Sequence, residues 1–405
     1  MKKLYWKSCE LDWRVDLFIA MIAALGLVCI QHFKVFVPAP HYEEKLAAAN
    51  LMKKGMNVID HYRKAHIDDK YADNEHAGHD PVKIAGDTDD KKPKMESGLL
   101  GIPFSPITSI ISPREYKQIT INPNWAAVMV DFYREADLEK GDTIAAGFSG
   151  SFPALNFATL AAAEVMGLRV IAINSVAASG YGGNIPEFSW PDINRVLNEE
   201  GILSTHSVAA SMGAGQDIGL GVQDVGRNIE KDGIQIIKDI IGRNHLEFIY
   251  EVDSQRNIER RMGIYEKYAG DNDIEAYVNV GGGIISVGGL RNSRKIFKPG
   301  LNVLAKPDVD FDSIMVRFAE RAVPVIHIRH IRELCKSANM PCELHEIPPP
   351  GEGIIFGAHE YNYVLTVAVL IGICLLLLVL IKTEYANIIF LSNKSKSTLP
   401  AEPMV

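Results

Sequence analysis

The sequence predicts an α/β fold, a Rossmann-like domain on a mainly parallel sheet, set between two terminal transmembrane helices. Three observations carry this. From about Gly98 onward, apolar runs of strand length alternate with amphipathic helical stretches, the pattern of βαβ units. Each end of the chain holds a largely uncharged segment of roughly 20 residues, the length that spans a bilayer. Loops of Gly and Ser follow the predicted strands, where parallel sheets place their ligands.

The terminal segments set the domain order. Residues 17–30 carry no charge, and continuing through Gln31, His32, Phe33 and Lys34 to Val37 makes the segment roughly 20 residues, so a transmembrane helix is expected over 15–37. Trp6, Trp13 and Arg14 read as interfacial anchors. A cleaved signal peptide is the alternative, against which stands a poor small-residue cleavage pattern. Residues 363–381 are uncharged throughout, apolar on every face as a membrane span requires. Lys2, Lys3, Lys7 and Arg14 precede the first segment, and Lys382, Lys394 and Lys396 follow the second. The positive-inside tendency then puts residues 1–14 and 382–405 in the cytoplasm, with the central domain outside a two-pass cell-membrane protein. The expected first partner is the lipid bilayer.

Composition narrows the classes further. A hydrophobic content of 47% excludes a disordered or fibrous chain. A net charge of -8 and the lack of a long Lys/Arg run exclude nucleic acid, whose phosphates need clustered positive charge.

Between the spans, residues 38–97 read as a helix over 41–64 followed by an acidic tether over 66–97. The tether is rich in Asp, Lys and His, broken by Pro81 and Pro93, and too poor in apolar periodicity to fold. His66, Asp68, Asp69, His76, His79 and Asp80 are of metal-ligating type. Their spacing repeats no metal motif, so no metal is assigned, and no cofactor.

Residues 98–347 form the predicted α/β domain. A strand over 143–148, a helix over 153–166 with Pro153 in its first turn, and a strand over 170–175 make one βαβ unit. Ile229, Gly233, Ile236, Ile237 and Ile240 mark one helix face; Ile258, Met262, Tyr265 and Ala269 mark another, begun by a Ser254 cap. Strands over 276–280 and 323–328 and a helix over 331–338 complete it. Pro348, Pro349, Pro350 and Gly351 open a stiff exit, 348–362. Cys335 and Cys342 are either a disulfide, as an oxidising compartment allows, or two unrelated thiols.

The candidate chemistry lies in the loops. Gly147-Phe148-Ser149-Gly150-Ser151-Phe152-Pro153 sits between a strand and a helix. Such a loop aims N–H groups at the positive end of a helix and suits a phosphate or carboxylate; the alternative is a tight turn. It also approximates the Gly-x-Ser-x-Gly elbow with Ser149 as nucleophile, though Ser151 replaces the last glycine. A serine hydrolase would need a base from among His206, His245, His327, His330 and His345. Ser175-Val176-Ala177-Ala178-Ser179 recurs as Ser207-Val208-Ala209-Ala210-Ser211, and Gly281-Gly282-Gly283 follows another strand. These loops are expected to converge on one polar pocket. Neither a P-loop nor a Gly-x-Gly-x-x-Gly opening a helix is present. Among Glu187, Asp192, Asp217 and Asp224, Asp217 is the preferred acid/base candidate because it stands within a glycine loop. The catalytic candidates are thus Ser149, Ser151 and Asp217. The ligand-binding set is Gly147, Ser149, Gly150, Ser151, Ser175, Ser179, Ser207, Ser211, Gly281, Gly282 and Gly283.

The stretches 141–156, 173–179, 186–192, 207–215, 278–283 and 324–334 resemble, in this order and over most of the central domain, the poly-γ-glutamate system protein family. The resemblance implies an accessory protein of bacterial poly-γ-glutamate capsule synthesis or export, with the synthase subunits and the polymer itself as partners. It implies a pathway and no reaction. Where family members tend to be richer in glycine after Ser211, this chain has Met212-Gly213-Ala214-Gly215-Gln216-Asp217. The competing functions are an extracytoplasmic hydrolase or transferase acting on the polymer, and a sugar-phosphate-binding domain.

Overall fold

A computed structural model describes residues 13–71, 96–215, 217–219, 230–289, 295–304 and 307–395. The chain divides into two compact units, residues 39–356 and the paired ends 1–38 with 357–405.

The larger unit is built on a seven-stranded sheet. Its strands are β1 (Thr143–Ser149), β2 (Arg169–Ser175), β3 (Ala209–Ser211), β4 (Glu247–Ile249), β5 (Ile274–Val280), β6 (Gly300–Asn302) and β7 (Val325–Ile328). They lie in the order β6-β7-β5-β1-β2-β3-β4, all parallel except β6, which pairs antiparallel with β7 at one edge. The strands are near-continuous apolar runs because both faces are covered. On one face Ile144, Ala146, Phe148, Val170, Ala172, Val278 and Ile326 meet helices α1 (Tyr42–His66), α2 (Trp125–Glu135), α3 (Pro153–Met166) and α4 (Trp190–Glu199). On the other, Ala145, Ile171, Ile173, Ala209, Tyr277 and Val325 meet α6 (Ser254–Ala269) and α7 (Ile314–Glu320), and Ala210 packs with α5 (Glu230–Arg243). The last helix is α8 (Ile331–Ser337).

The strand order carries the functional geometry. From β1 the chain steps outward through β2, β3 and β4, then returns to the opposite side of β1 with β5 and continues to β7. The winding direction therefore reverses between β1 and β5, a topological switch point of the Rossmann kind.

Several boundaries differ from the sequence expectation. The helix expected over 41–64 is α1, and it belongs to the core: Ala48, Ala49, Met52, Met56 and Ile59 are fully buried. At about 1.5–3 kcal/mol for each large apolar side chain buried, α1 is a structural member of the domain, which begins at residue 39 and not at 98. Helix α6 is capped by Asp253, whose Oδ1 accepts from Arg256 N at 2.9 Å, and not by Ser254. The Pro-rich exit is clamped. Buried Asn124 donates to the carbonyls of Pro349 and Glu352 and accepts from Gly351 N. Cys335 and Cys342 are both free thiols. Most of the acidic tether, with His76, His79 and Asp80, lies outside the described residues. Asp68, on its described part, is held by Arg63 at 2.8 Å.

In the smaller unit a helix, Trp13–His32, leads into strand Val35–Pro38, which pairs antiparallel with Gly357–Glu360 before a second helix, Tyr363–Ser395. The helices meet where Gly26 faces Val369. At their polar ends Tyr361 donates to Gln31 at 3.1 Å and Lys34 stands over the Tyr361 ring. Among the described residues no helix is long and apolar enough to cross a membrane.

Candidate functional site

The switch point falls at the carboxyl ends of β1 and β5, where ligand crevices of such sheets form and where the Gly150-Ser151 loop meets the Gly281-Gly282-Gly283 loop. Gly281 is held at φ 104°, and a Cβ there would come within 2.7 Å of the Ser149 Cβ. Only glycine lets the two loops approach this closely. Asn279 fixes the second loop, donating from Nδ2 to the Gly281 carbonyl at 2.9 Å and to His327 Nδ1 at 3.0 Å. Gly282 and Gly283 are exposed at the mouth, and the Arg329 guanidinium lies directly against Gly282.

Three of the predicted serines form a row. Ser149, Ser175 and Ser211 are register partners at the last positions of the adjacent strands β1, β2 and β3. Ser175 Oγ is 3.4 Å from Ser211 Oγ. The recurrence in the sequence is thus no structural repeat: the first serine of one copy pairs with the last serine of the other. Of the other two serines of the recurring pentapeptide, Ser179 lies in a short parallel pairing with Thr108–Ile110. Ser207 precedes β3 and bonds Asn174 and Asn194 on the α4 face, away from the row.

The expected anion cradle is largely filled by the chain itself. Gly150 N–H donates to the Ser175 carbonyl, Ser151 N–H to Ser149 Oγ and Phe152 N–H to the Ser149 carbonyl. A phosphate on this loop would have to displace these bonds, so its backbone reads as a tight turn. Gly150 is a glycine because a Cβ would collide with the carbonyls of Ser175 and Val176. Gly147 is buried beneath the Tyr277 hydroxyl. Ser151 Oγ accepts from Ser179 N–H at 2.9 Å and ties two loops together. The hydroxyl of half-buried Ser149 keeps its proton available to a ligand, since its hydrogen bond here is accepted from an N–H.

Two cations back the crevice. Lys117, on the short helix Arg114–Gln118, is buried with Nζ 2.6 Å from the Ser151 carbonyl and 3.7 Å from the centre of the Phe152 ring. Burial draws its ammonium down to a pKa of about 7. Arg329 supplies the second charge from the end of β7. No sequence signal marks Lys117, which stands in an irregular segment; Arg329 directly follows an apolar strand, where a ligand-facing cation is expected.

Asp217 has a different place. It is buried at φ 65°, ion-paired to Arg261 of α6 at 2.7 Å, and also bonded to Ser211 Oγ at 2.6 Å and Asn257 Nδ2 at 3.2 Å. Burial opposes the Arg261 charge, yet the adjoining carboxylate more than restores it, and the guanidinium pKa lies above its usual value. A carboxylate so paired supports the serine row. Asn257 and Arg261 were legible in principle: they fall at i and i+4 on the same helix face as Ile258, Met262 and Tyr265. Asp192 is likewise structural, closing the Ser189 capping box of α4 and pairing with Arg243 at 2.5 Å. Asp224 lies outside the described residues.

Of the candidate bases for Ser149, His327 is engaged elsewhere. Buried His327 is committed to Asn279, and burial with nearby Arg329 and His330 lowers its pKa to about 3, so the ring is neutral.

Fold and crevice define a mixed α/β domain, doubly wound and Rossmann-like. Comparison with protein-family models, curated proteins and solved structures gives no match to this chain.

Proposed function

We propose that this protein is a membrane-anchored accessory component of poly-γ-glutamate synthesis or export, and that the switch-point crevice binds the carboxylates of the polymer. One observation carries the binding reading. A serine hydroxyl with a free proton, an exposed glycine loop and the Arg329 guanidinium face one crevice, with the Lys117 charge behind it. A chain of repeated carboxylates meets donors there, and a partly exposed polyanion site of this kind needs no catalytic base. The family resemblance supplies the polymer's identity. The length and charge asymmetry of the two terminal segments support two spans with the domain outside, adjoining the synthase.

The test uses the full-length chain in detergent micelles and fluorescence anisotropy with a labelled γ-linked glutamate oligomer. Saturable binding is expected, weakened by Arg329→Ala and Ser149→Ala and by added salt. Equal affinity for α-linked polyglutamate would remove the link to this polymer, and absence of binding would remove the site. Deleting the gene with the synthase intact is expected to lower the amount or surface display of the polymer. Protease accessibility of the central domain in spheroplasts tests the topology.

A further inference from the structure

A second cavity, of about 300 Å³, opens on the opposite side of β2 from Ser175, beneath α4 and beside the starts of β3 and β4. Asn174 lines it, with Arg195, His206, Ser207, Asn244 and His245. Asn174 is fully buried. Its Oδ1 accepts from Trp190 Nε1 at 3.1 Å and from Ser207 Oγ at 3.2 Å. An indole N–H can only donate, so Oδ1 must face Trp190 and the amide cannot be reversed. Its Nδ2 is thereby fixed as a donor, and it has no hydrogen-bond partner. A buried donor left so costs about 1–3 kcal/mol, an arrangement that asks for an occupant.

The rest of the lining agrees in sign. The amide oxygens are already engaged: Asn194 Oδ1 accepts from Ser207, and Asn244 Oδ1 from Arg195 Nε. No Asp or Glu lines the cavity. Arg195 is held in place by Glu199, which grips its Nη1 with both oxygens. The amide donors of Asn194 and Asn244 are engaged as well, with the Thr205 carbonyl and with Asp192 and the Ile240 carbonyl, so the donors left to a small acceptor-rich molecule are Asn174 Nδ2, the Arg195 guanidinium and the His206 ring.

We propose that this cavity binds a small carboxylic acid, its oxygens accepting from Asn174 Nδ2, the Arg195 guanidinium and the His206 ring. The site is separate from the switch-point crevice and does not rest on the polymer reading. The test is isothermal titration of the full-length chain in detergent with succinate. Saturable binding is expected, with affinity falling about ten-fold or more in Arg195→Met and in His206→Ala, the loss of one charge-assisted hydrogen bond. Both side chains reach solvent, and unchanged unfolding temperatures of the unliganded variants show that the fold is kept. Ser149→Ala is expected to leave succinate affinity unchanged. No saturable binding in the millimolar range, or binding indifferent to both variants, overturns the proposal. Equal weakening by Ser149→Ala also overturns it, since succinate would then report the crevice. Displacement of succinate by inorganic phosphate at equal affinity overturns the assignment to a carboxylic acid.

Discussion

Arg261 and Asp217 stand 2.7 Å apart, both almost wholly buried, with the Ser211 hydroxyl 2.6 Å from each. The triad joins helix α6 to the serine row, so the last residue of β3 is positioned by a charge pair that water cannot reach.

Removing one charge should therefore unfold more than it disables. Asp217→Asn leaves the Arg261 guanidinium buried without its counter-ion, and a loss of about 3–5 kcal/mol is expected in denaturant unfolding. Replacing both residues, Asp217→Asn with Arg261→Met, should cost less than the sum of the single changes. A stable Asp217→Asn protein lacking only turnover would instead restore Asp217 as an acid/base residue.

Lys117 makes binding depend on pH. Its folded pKa of about 7 means that its charge is lost as pH rises through neutrality. Affinity for a polycarboxylate should fall between pH 6 and 8, measured by anisotropy at constant ionic strength, and Lys117→Arg should flatten that profile. The stability effect has the opposite sign. Below pH 7 the folded state carries the strain of a buried ammonium, relieved as pH rises from about 7 toward the unfolded value near 10.5. Lys117→Met should accordingly raise the unfolding temperature more at pH 6 than at pH 10.

His327 sets an acid limit. Neutral when folded, with a pKa of about 3, it binds a proton in the unfolded chain near the ordinary histidine value of 6.5. Stability is present above pH 6.5 and is lost as pH falls, by on the order of 3 kcal/mol at pH 4. Thermal unfolding of His327→Gln against the parent from pH 7 to 4 checks this; parallel curves would refute it.

Gly281→Ala should damage the crevice more than Ser149→Ala does. The added methyl meets Ser149 at a left-handed φ, with an expected cost of about 1–3 kcal/mol. Binding titrations on both variants, with unfolding temperatures, separate loss of shape from loss of a hydroxyl.

The two thiols should differ in reactivity. Burial, reinforced by neighbouring Cys342, pushes the Cys335 thiol up to about 12. Alkylation of the folded chain at pH 8, followed by peptide mass analysis, should label Cys342 well before Cys335.

The legible part of the fold was its periodicity. Strands β1, β2 and β5, helices α3 and α6 and the Gly/Ser loops at strand ends follow from apolar runs and punctuation within one segment. What stayed hidden depends on contacts between distant segments. Helix α1 reads as a membrane stalk because its Ala and Met stripe is modest, and only its packing against Phe157 and Ile202 shows it to be core. Lys117 lies 34 positions from Ser151 in sequence. The register that sets Ser211 rather than Ser207 beside Ser175 is fixed by where β3 begins, which a repeated pentapeptide cannot tell. Asp217 stands out by its glycine surroundings, while nothing local ties it to Arg261, 44 positions away.

The backbone N–H of Ala39 bonds the carbonyl of Phe356 at 2.9 Å, and Asn124 locks the segment just before that point. The α/β domain thus begins and ends at one doorway. In modular terms it is an insertion within a two-helix hairpin, and it can be excised there and its ends rejoined by a short linker without crossing a strand of its sheet.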